Sequence, residues 1–297
     1  VLVVDSGNAL YRVIGVDDAM AVKRADFIMA KMGQLGTFAM AVGARELNVG
    51  PAALKAAAEK SKVKLLAANL VGADGKPLFP GSAVITVGAV KVGLIGVSPP
   101  GPYPGVKGVQ GLPVVAAVAR EAKALKGKVD LVVLLAAVPY ADALQLSTEV
   151  GDAVDLILNS HDGRGASPAQ RNEKNYLLSS GERGRQVGRL DLELTGRGLF
   201  ADLDEATREA QLVPMLQSQV DQLRKRLDVT KDEKARADLK ASIESLELSK
   251  KSHAKNAAPD PKGARTLKLT WVSLGPEVKD EPALKDEVDK LEAVPPR

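Results

Sequence analysis

Short apolar runs alternate with longer stretches of helical periodicity over the first 200 residues. Val1–Val4 reads as a strand ending at Asp5. From Asp17 to Gln34, Ala21, Ala25, Ile28, Met29 and Met32 recur on one helical face, with Asp17 or Asp18 as the cap. Thr37–Val42 is a second strand. A helix is expected over about Pro51–Lys60, where an early proline sacrifices no hydrogen bond. Lys64–Ala68 is a third strand, ending at Asn69, and Ala83–Val87 with Val90–Val97 forms a hairpin turning at Gly88. Gly101–Gly111 reads as a loop rich in Gly and Pro, and Pro113–Lys126 as a helix. Leu131–Ala136 and Val154–Leu158 are buried strands flanking a helix near Tyr140–Glu149. Tyr176–Ser180 and Gln186–Leu194 are expected to close this part as a second hairpin. Strand–helix–strand order implies parallel strands covered on both faces. The expected fold class is α/β, two packed mixed β-sheets flanked by helices, over residues 1–200.

The pattern changes over residues 201–258. Leu216, Val220, Leu223 and Leu227 form an a/d seam, and Leu239, Ile243 and Leu246 repeat it after the polar turn Asp228–Asp232. That predicts an inserted antiparallel helical hairpin. Residues 259–297 open with a polar loop carrying Pro259 and Pro261. They continue as a return strand over Thr266–Leu274, holding Trp271 and Val272, and a short helix over Ala283–Leu291.

Composition narrows the function classes. Aromatic residues make up 3% of the chain, so the core must be built from Val, Leu, Ile and Ala. No apolar run approaches the roughly 20 residues of a membrane helix. The net charge of +4 comes from interleaved acids and bases, without the basic, aromatic footprint of a nucleic-acid binder. The absence of cysteine excludes disulfides, thiolate metal sites, c-type haem attachment and a Cys nucleophile within this sequence. Ser6, Ser98 and Ser160 have no His–Asp partners in a nucleophile arrangement. Gly93 and Gly96 belong to no GxGxxG loop opening a helix, so close backbone packing accounts for them. VLVVD reads as a strand already under way, so a preceding segment, such as a signal segment, is expected.

Several stretches carry a family resemblance. VVDSGN (Val3–Asn8) resembles a strand ending in an Asp-x-Gly-Asp turn. VGARELNVG (Val42–Gly50) resembles a Gly-Asn-His-Glu motif. AANL (Ala67–Leu70) and VKVGLIGVS (Val90–Ser98) match segments between motifs. DLVVLLAAV (Asp130–Val138) stands where a strand ends in a metal-binding His. DLILNSHDG (Asp155–Gly163) resembles a strand and Gly-His-x-His turn, and Ser179–Leu194 a closing hairpin. In this order they resemble the 5′-nucleotidase branch of the calcineurin-like metallophosphoesterases over about 190 residues.

The resemblance implies a site for two divalent metals, Mn, Zn or Fe, that polarise a phosphate ester. It also implies that most ligands have been replaced. Asn8 stands for the bridging Asp, Ala44–Arg45 for the Asn–His pair, Ala136 or Ala137 for the strand His, and Gly163 for the second His of the last motif. His161 survives, leaving Asp5 and His161 as weak metal candidates; no cofactor is expected. Asp5, Asn8, Arg45, Glu46, Asn69 and His161 would share one strand-end crevice. They are either solvated or mutually hydrogen-bonded remnants or, through Arg45 and His161, an anion site for phosphate or a nucleotide.

These features allow three functional readings. The first is a catalytically silent binding or scaffold domain of the cell envelope, periplasmic or outer-membrane-associated by resemblance, with a protein partner on the hairpin at 212–250. The second is a residual metal-dependent phosphoesterase. The third is a module of an envelope redox assembly with multihaem cytochromes. A cytoplasmic location remains open.

Overall fold

The computed structural model describes residues 1–15, 18–160, 167–172, 174–181, 184–195, 198–257 and 265–292. The chain opens with strand β1 (Val3–Asp5), helix α1 (Ala19–Gln34) and β2 (Thr37–Ala41). A single 3-10 turn (Glu46–Val49) leads into α2 (Gly50–Ser61), then β3 (Lys64–Leu66) and β4 (Leu70–Gly72). The hairpin β5 (Ser82–Val87) and β6 (Val90–Val97) is followed by β7 (Gly101–Pro102) and β8 (Val109–Gly111). Next come α3 (Val114–Leu125), β9 (Leu131–Ala136), α4 (Tyr140–Val150), β10 (Leu156–Asn159), β11 (Gln170–Arg171) and β12 (Tyr176–Ser179). The remaining elements are β13 (Gln186–Glu193), β14 (Phe200–Asp202), α5 (Glu205–Val229), α6 (Glu233–Asn256), β15 (Arg265–Ser273) and α7 (Pro282–Glu292). Contacts group the chain into two units, Val1–Gly188 with Trp271–Arg297, and Arg189–Thr270.

In the first unit, β1-β2-β3 form a parallel sheet and β11-β12-β10-β9-β6-β5 a mixed one. The inner strands β6, β9, β10 and β12 run parallel, and the hairpin strand β5 and the short β11 edge them antiparallel. Apolar runs such as LVVLLA in β9 are buried almost throughout, as strands covered on both faces must be. One core cluster gathers Met29, Met40, Leu47, Leu54 and Leu70 around α1, α2 and the smaller sheet. A second gathers Ile95, Val118, Leu134, Leu146 and Ile157 between the larger sheet and α3 and α4. Each fully buried aliphatic side chain contributes about 1.5–3 kcal/mol over exposure. The two sheets touch where β3 ends: Ala68 N donates to Gly96 O at 2.7 Å. The Asp18 carboxylate caps α1 by accepting from Met20 N at 2.9 Å. The amphipathic α7 is tied to α1 by the Lys31–Glu287 ion pair at 2.6 Å.

Two sequence expectations need correction. Tyr176–Ser180 and Gln186–Leu194 do not pair as a hairpin: β12 lies between β10 and β11, while β13 stands in a different sheet, β13-β15-β14. The burial patterns give the reason. All four residues of β12 are buried, which needs neighbours on both sides and cover on both faces, whereas β13 is largely exposed. Gly101–Gly111 is also more than a loop, because β7 and β8 join β4 in a small antiparallel sheet.

In the second unit, β14 pairs in parallel with the start of β15, and α5 and α6 form the helical hairpin. Val220 is its one fully buried seam residue among those described, and Leu216, Leu223, Leu227, Leu239, Ile243 and Leu246 remain half-buried. Polar contacts fix the pairing: Arg224 to Glu247 at 2.8 Å, Lys250 to Gln217 at 2.6 Å and His253 to Glu209 at 2.5 Å. The Arg236 guanidinium closes the end of α5 by donating to the carbonyls of Leu227 and Thr230, each at 2.8 Å. Asp232 caps α6 through Ala235 N at 2.8 Å.

Candidate functional site at the strand ends

The C-terminal ends of β1, β2, β9 and β10 converge, and the loop leaving each strand is tied to its neighbours. After β1 the chain turns sharply, with positive φ at Gly7 and Asn8. A Cβ on Gly7 would lie 2.6 Å from Ala41 O and 3.0 Å from the Ala137 methyl. A Cβ on Gly43 would collide with the Asn8 side chain at 2.3 Å. Only glycine permits such close approach here. Ser160 Oγ reaches Ser6 O at 2.6 Å and Gly7 O at 2.7 Å, and Asn8 Nδ2 donates to Ser160 O at 3.1 Å. Asn159 Nδ2 bridges the carbonyls of Ala136 and Val138 at 3.0 and 2.7 Å. The strand ends are therefore knotted together by short polar side chains.

Glu46 sits at the centre of this knot and is fully buried. Its Oε2 accepts from Asn8 N and Gly43 N, each at 2.8 Å, and its Oε1 accepts from Leu10 N at 3.1 Å. Burial pushes its carboxyl up, against the pull of those backbone amides. Asp5 accepts from Gly7 N at 2.7 Å. Burial, with the charge of Glu46 adding to it and the Gly7 amide opposing it, raises Asp5 to about 6.

Asn69 is fully buried too. Its amide donates to Ser98 O at 2.9 Å and Leu112 O at 3.0 Å, and its carbonyl accepts from Ser98 N at 2.9 Å. Ser98 Oγ in turn donates to Val42 O at 2.5 Å. Thus Asp5, Asn8, Glu46 and Asn69 all lie near these strand ends, but their polar atoms are turned largely to backbone. Asn8 Oδ1 is sealed without a partner among the described residues, pressed against Gly43. Arg45 is half-buried beside Glu46 and makes no hydrogen bond or ion pair among the described residues. Ala44, Ala136 and Ala137 are buried and offer no donor atom. His161 and Gly163 lie outside the described residues.

The sequence reading did not anticipate the tying roles of Ser98, Asn159 and Ser160. The available signal was a polar residue placed directly after an apolar parallel strand.

No family model and no curated protein matches the sequence. Solved structures do match. A 5′-nucleotidase precursor from Thermus thermophilus aligns over 64% of this chain and 41% of its own, with 24% identity and a TM-score of 0.53. The sulfate thiohydrolase SoxB of Thermus thermophilus aligns over 64% of this chain and 35% of its own, with 20% identity and a TM-score of 0.56. The calcineurin-like phosphoesterase YfkN of Bacillus subtilis aligns over 64% and 70%, with 19% identity and a TM-score of 0.54. The match thus spans less than half the length of the first two.

A two-metal centre needs several imidazoles and carboxylates facing one space. Among the described residues no three His, Cys, Asp or Glu side chains gather where they could hold a metal ion. Glu46 is enclosed by backbone amides, and alanine stands at 44, 136 and 137. The donor set described at these strand ends does not fit two divalent cations. What is shared with the matched structures is the architecture: the chain has the metallophosphoesterase fold found in 5′-nucleotidases and calcineurin-like phosphoesterases.

Proposed function

We propose that this chain is a catalytically silent 5′-nucleotidase-like domain that serves as a binding or scaffold domain of the cell envelope. The observation that carries the reading is Glu46: a fully buried carboxylate at the strand ends, spent on three backbone amides of the β1 and β2 loops. A group so enclosed holds loops together, with three of its roughly four lone-pair sites already taken by backbone amides. The envelope assignment rests on the resemblance to nucleotidases. For the binding role, the helical hairpin supplies the surface. Its seam is half-buried, and Leu212, Met215 and Leu248 are exposed beside it, which suits a protein partner offering an apolar helical face.

The test is turnover of AMP and bis(p-nitrophenyl) phosphate with Mn²⁺ or Zn²⁺ present. No rate above the protein-free blank is expected. Metal-dependent hydrolysis lost on Asp5→Ala would overturn the reading in favour of a residual phosphoesterase.

A further inference from the structure

The edge of a sheet carries backbone N–H and C=O groups without a ladder partner, and proteins blunt such edges with short strands, charges, prolines or bulges. Most edges of this chain are blunted in that way. β1, β3, β4 and β14 have three residues each, and β7 and β11 have two. β13 is long but carries Arg189, Asp191 and Glu193. The exception is β5, the outer strand of the six-stranded sheet. Its six residues, SAVITV, include no charge and no proline, and they pair with β6 residue for residue without a bulge.

The ladder fixes which groups are free. Gly96 N donates to Gly81 O at 3.1 Å, and that pair continues the register of β5 and β6. Alternation along an antiparallel pair then turns the N–H and C=O of Ala83, Ile85 and Val87 toward β6, and those of Val84 and Thr86 outward. Among the described residues no other group hydrogen-bonds to these outward positions. Their side chains are open as well: Val84 is 48% exposed and Thr86 is exposed, while Ala83, Ile85 and Val87 are half-buried.

We propose that β5 pairs antiparallel with β5 of a second copy, joining the two six-stranded sheets across a two-fold axis. Val84 exchanges both backbone bonds with the partner's Thr86, Thr86 does so with the partner's Val84, and Ile85 meets the partner's Ile85 at the axis. The strand's own residues identify the occupant. Across a two-fold axis a charged residue is brought close to its own charge, which destabilises the pair, and β5 has no charge to repel. It sets Ile85 against itself and Val84 against Thr86, β-branched pairs that favour neighbouring strands. The contact consumes the unprotected edge of each copy, so assembly closes at the dimer. It uses no residue of the strand-end knot or of the helical hairpin, and so stands independently of the proposed function.

Sedimentation of the full chain tests this. A monomer–dimer equilibrium is expected, with a Kd on the order of 100 µM, in keeping with a small interface. The amides of Val84 and Thr86 should exchange with deuterium several-fold more slowly at about 1 mM protein than at about 20 µM, while Ile85, bonded to β6, should not respond to concentration. Thr86→Pro removes only an outward N–H and spares the β6 ladder, so it should weaken dimerisation at least about tenfold with circular dichroism unchanged. Val84→Lys, at an exposed side chain, should weaken it as much by bringing two ammonium groups together across the axis. It carries the test should Thr86→Pro misfold. A chain still monomeric at about 1 mM would overturn the proposal and leave β5 to an extended peptide of another protein. A dimer that survives both substitutions, or exchange at Val84 and Thr86 that ignores concentration, would overturn it too.

Discussion

Replacing Glu46 by alanine is expected to destabilise the first unit by about 4 kcal/mol. The carboxylate accepts from the backbone N–H groups of Asn8, Leu10 and Gly43, all within the knot that joins the β1 and β2 loops. Each buried donor left without an acceptor costs about 1–3 kcal/mol, and alanine leaves three. Relief of burying the carboxylate, whose pKa is already raised, offsets part of that sum. Glu46→Gln keeps one acceptor oxygen and should lose about half as much. Urea unfolding followed by the fluorescence of Trp271, the single tryptophan and part of the first unit, gives the measurement. A loss below about 1 kcal/mol for the alanine variant would mean the three amides find other partners, and Glu46 would no longer count as the clamp.

Gly96→Ala is expected to be comparably severe. Gly96 lies in β6 where that strand crosses the end of β3, and an added Cβ would sit 2.3 Å from Leu66 O and 2.5 Å from Leu66 Cβ. Leu66 is buried and its backbone is held in β3, with its carbonyl accepting from Val42 N at 3.1 Å. Neither side can yield without separating the two sheets, so the loss should reach at least about 3 kcal/mol, the upper range for overpacking. Gly93→Ala is the control. Its Cβ would meet side-chain ends and no backbone, Leu125 Cδ1 at 2.9 Å and Val129 Cγ2 at 3.3 Å, which can shift aside. It should cost about 1 kcal/mol. Equal losses at both positions would show that Gly96 matters for strand conformation and not for sheet contact.

Periodicity made most of the elements legible. The near-continuous apolar runs of β6 and β9 and the stepped leucines of α5 and α6 each state one environment, and the structure places them in it. The close backbone packing expected of Gly93 and Gly96 is present at Gly96, which lies against the Leu66 backbone, whereas Gly93 faces the side chains of Leu125 and Val129. Pairing was harder to read than existence. YLLS and QVGRLDLE look like adjacent arms of a hairpin, and only their contrasting burial separates them into different sheets. Strands of two or three residues, such as β7 and β8, are too short to show any period. Pro214 would ordinarily break a helix, yet α5 continues through it, where the pairing with α6 outweighs one missing hydrogen bond.

At the site, the sequence located the neighbourhood of Asp5, Asn8, Glu46 and Asn69 through motif order. It could not tell that Glu46 and Asn69 spend their polar atoms on backbone, because those partners, Gly43 apart, lie 29 to 43 residues away along the chain.

The central claim is that the strand-end knot has replaced a metal centre. Metal content tests it most directly, by elemental mass spectrometry of the protein as it occurs in the cell, after incubation with Mn²⁺ and Zn²⁺ and extensive dialysis. The account expects far less than one metal ion per chain. One or two tightly held ions per chain would contradict it and return the strand ends to phosphoester chemistry.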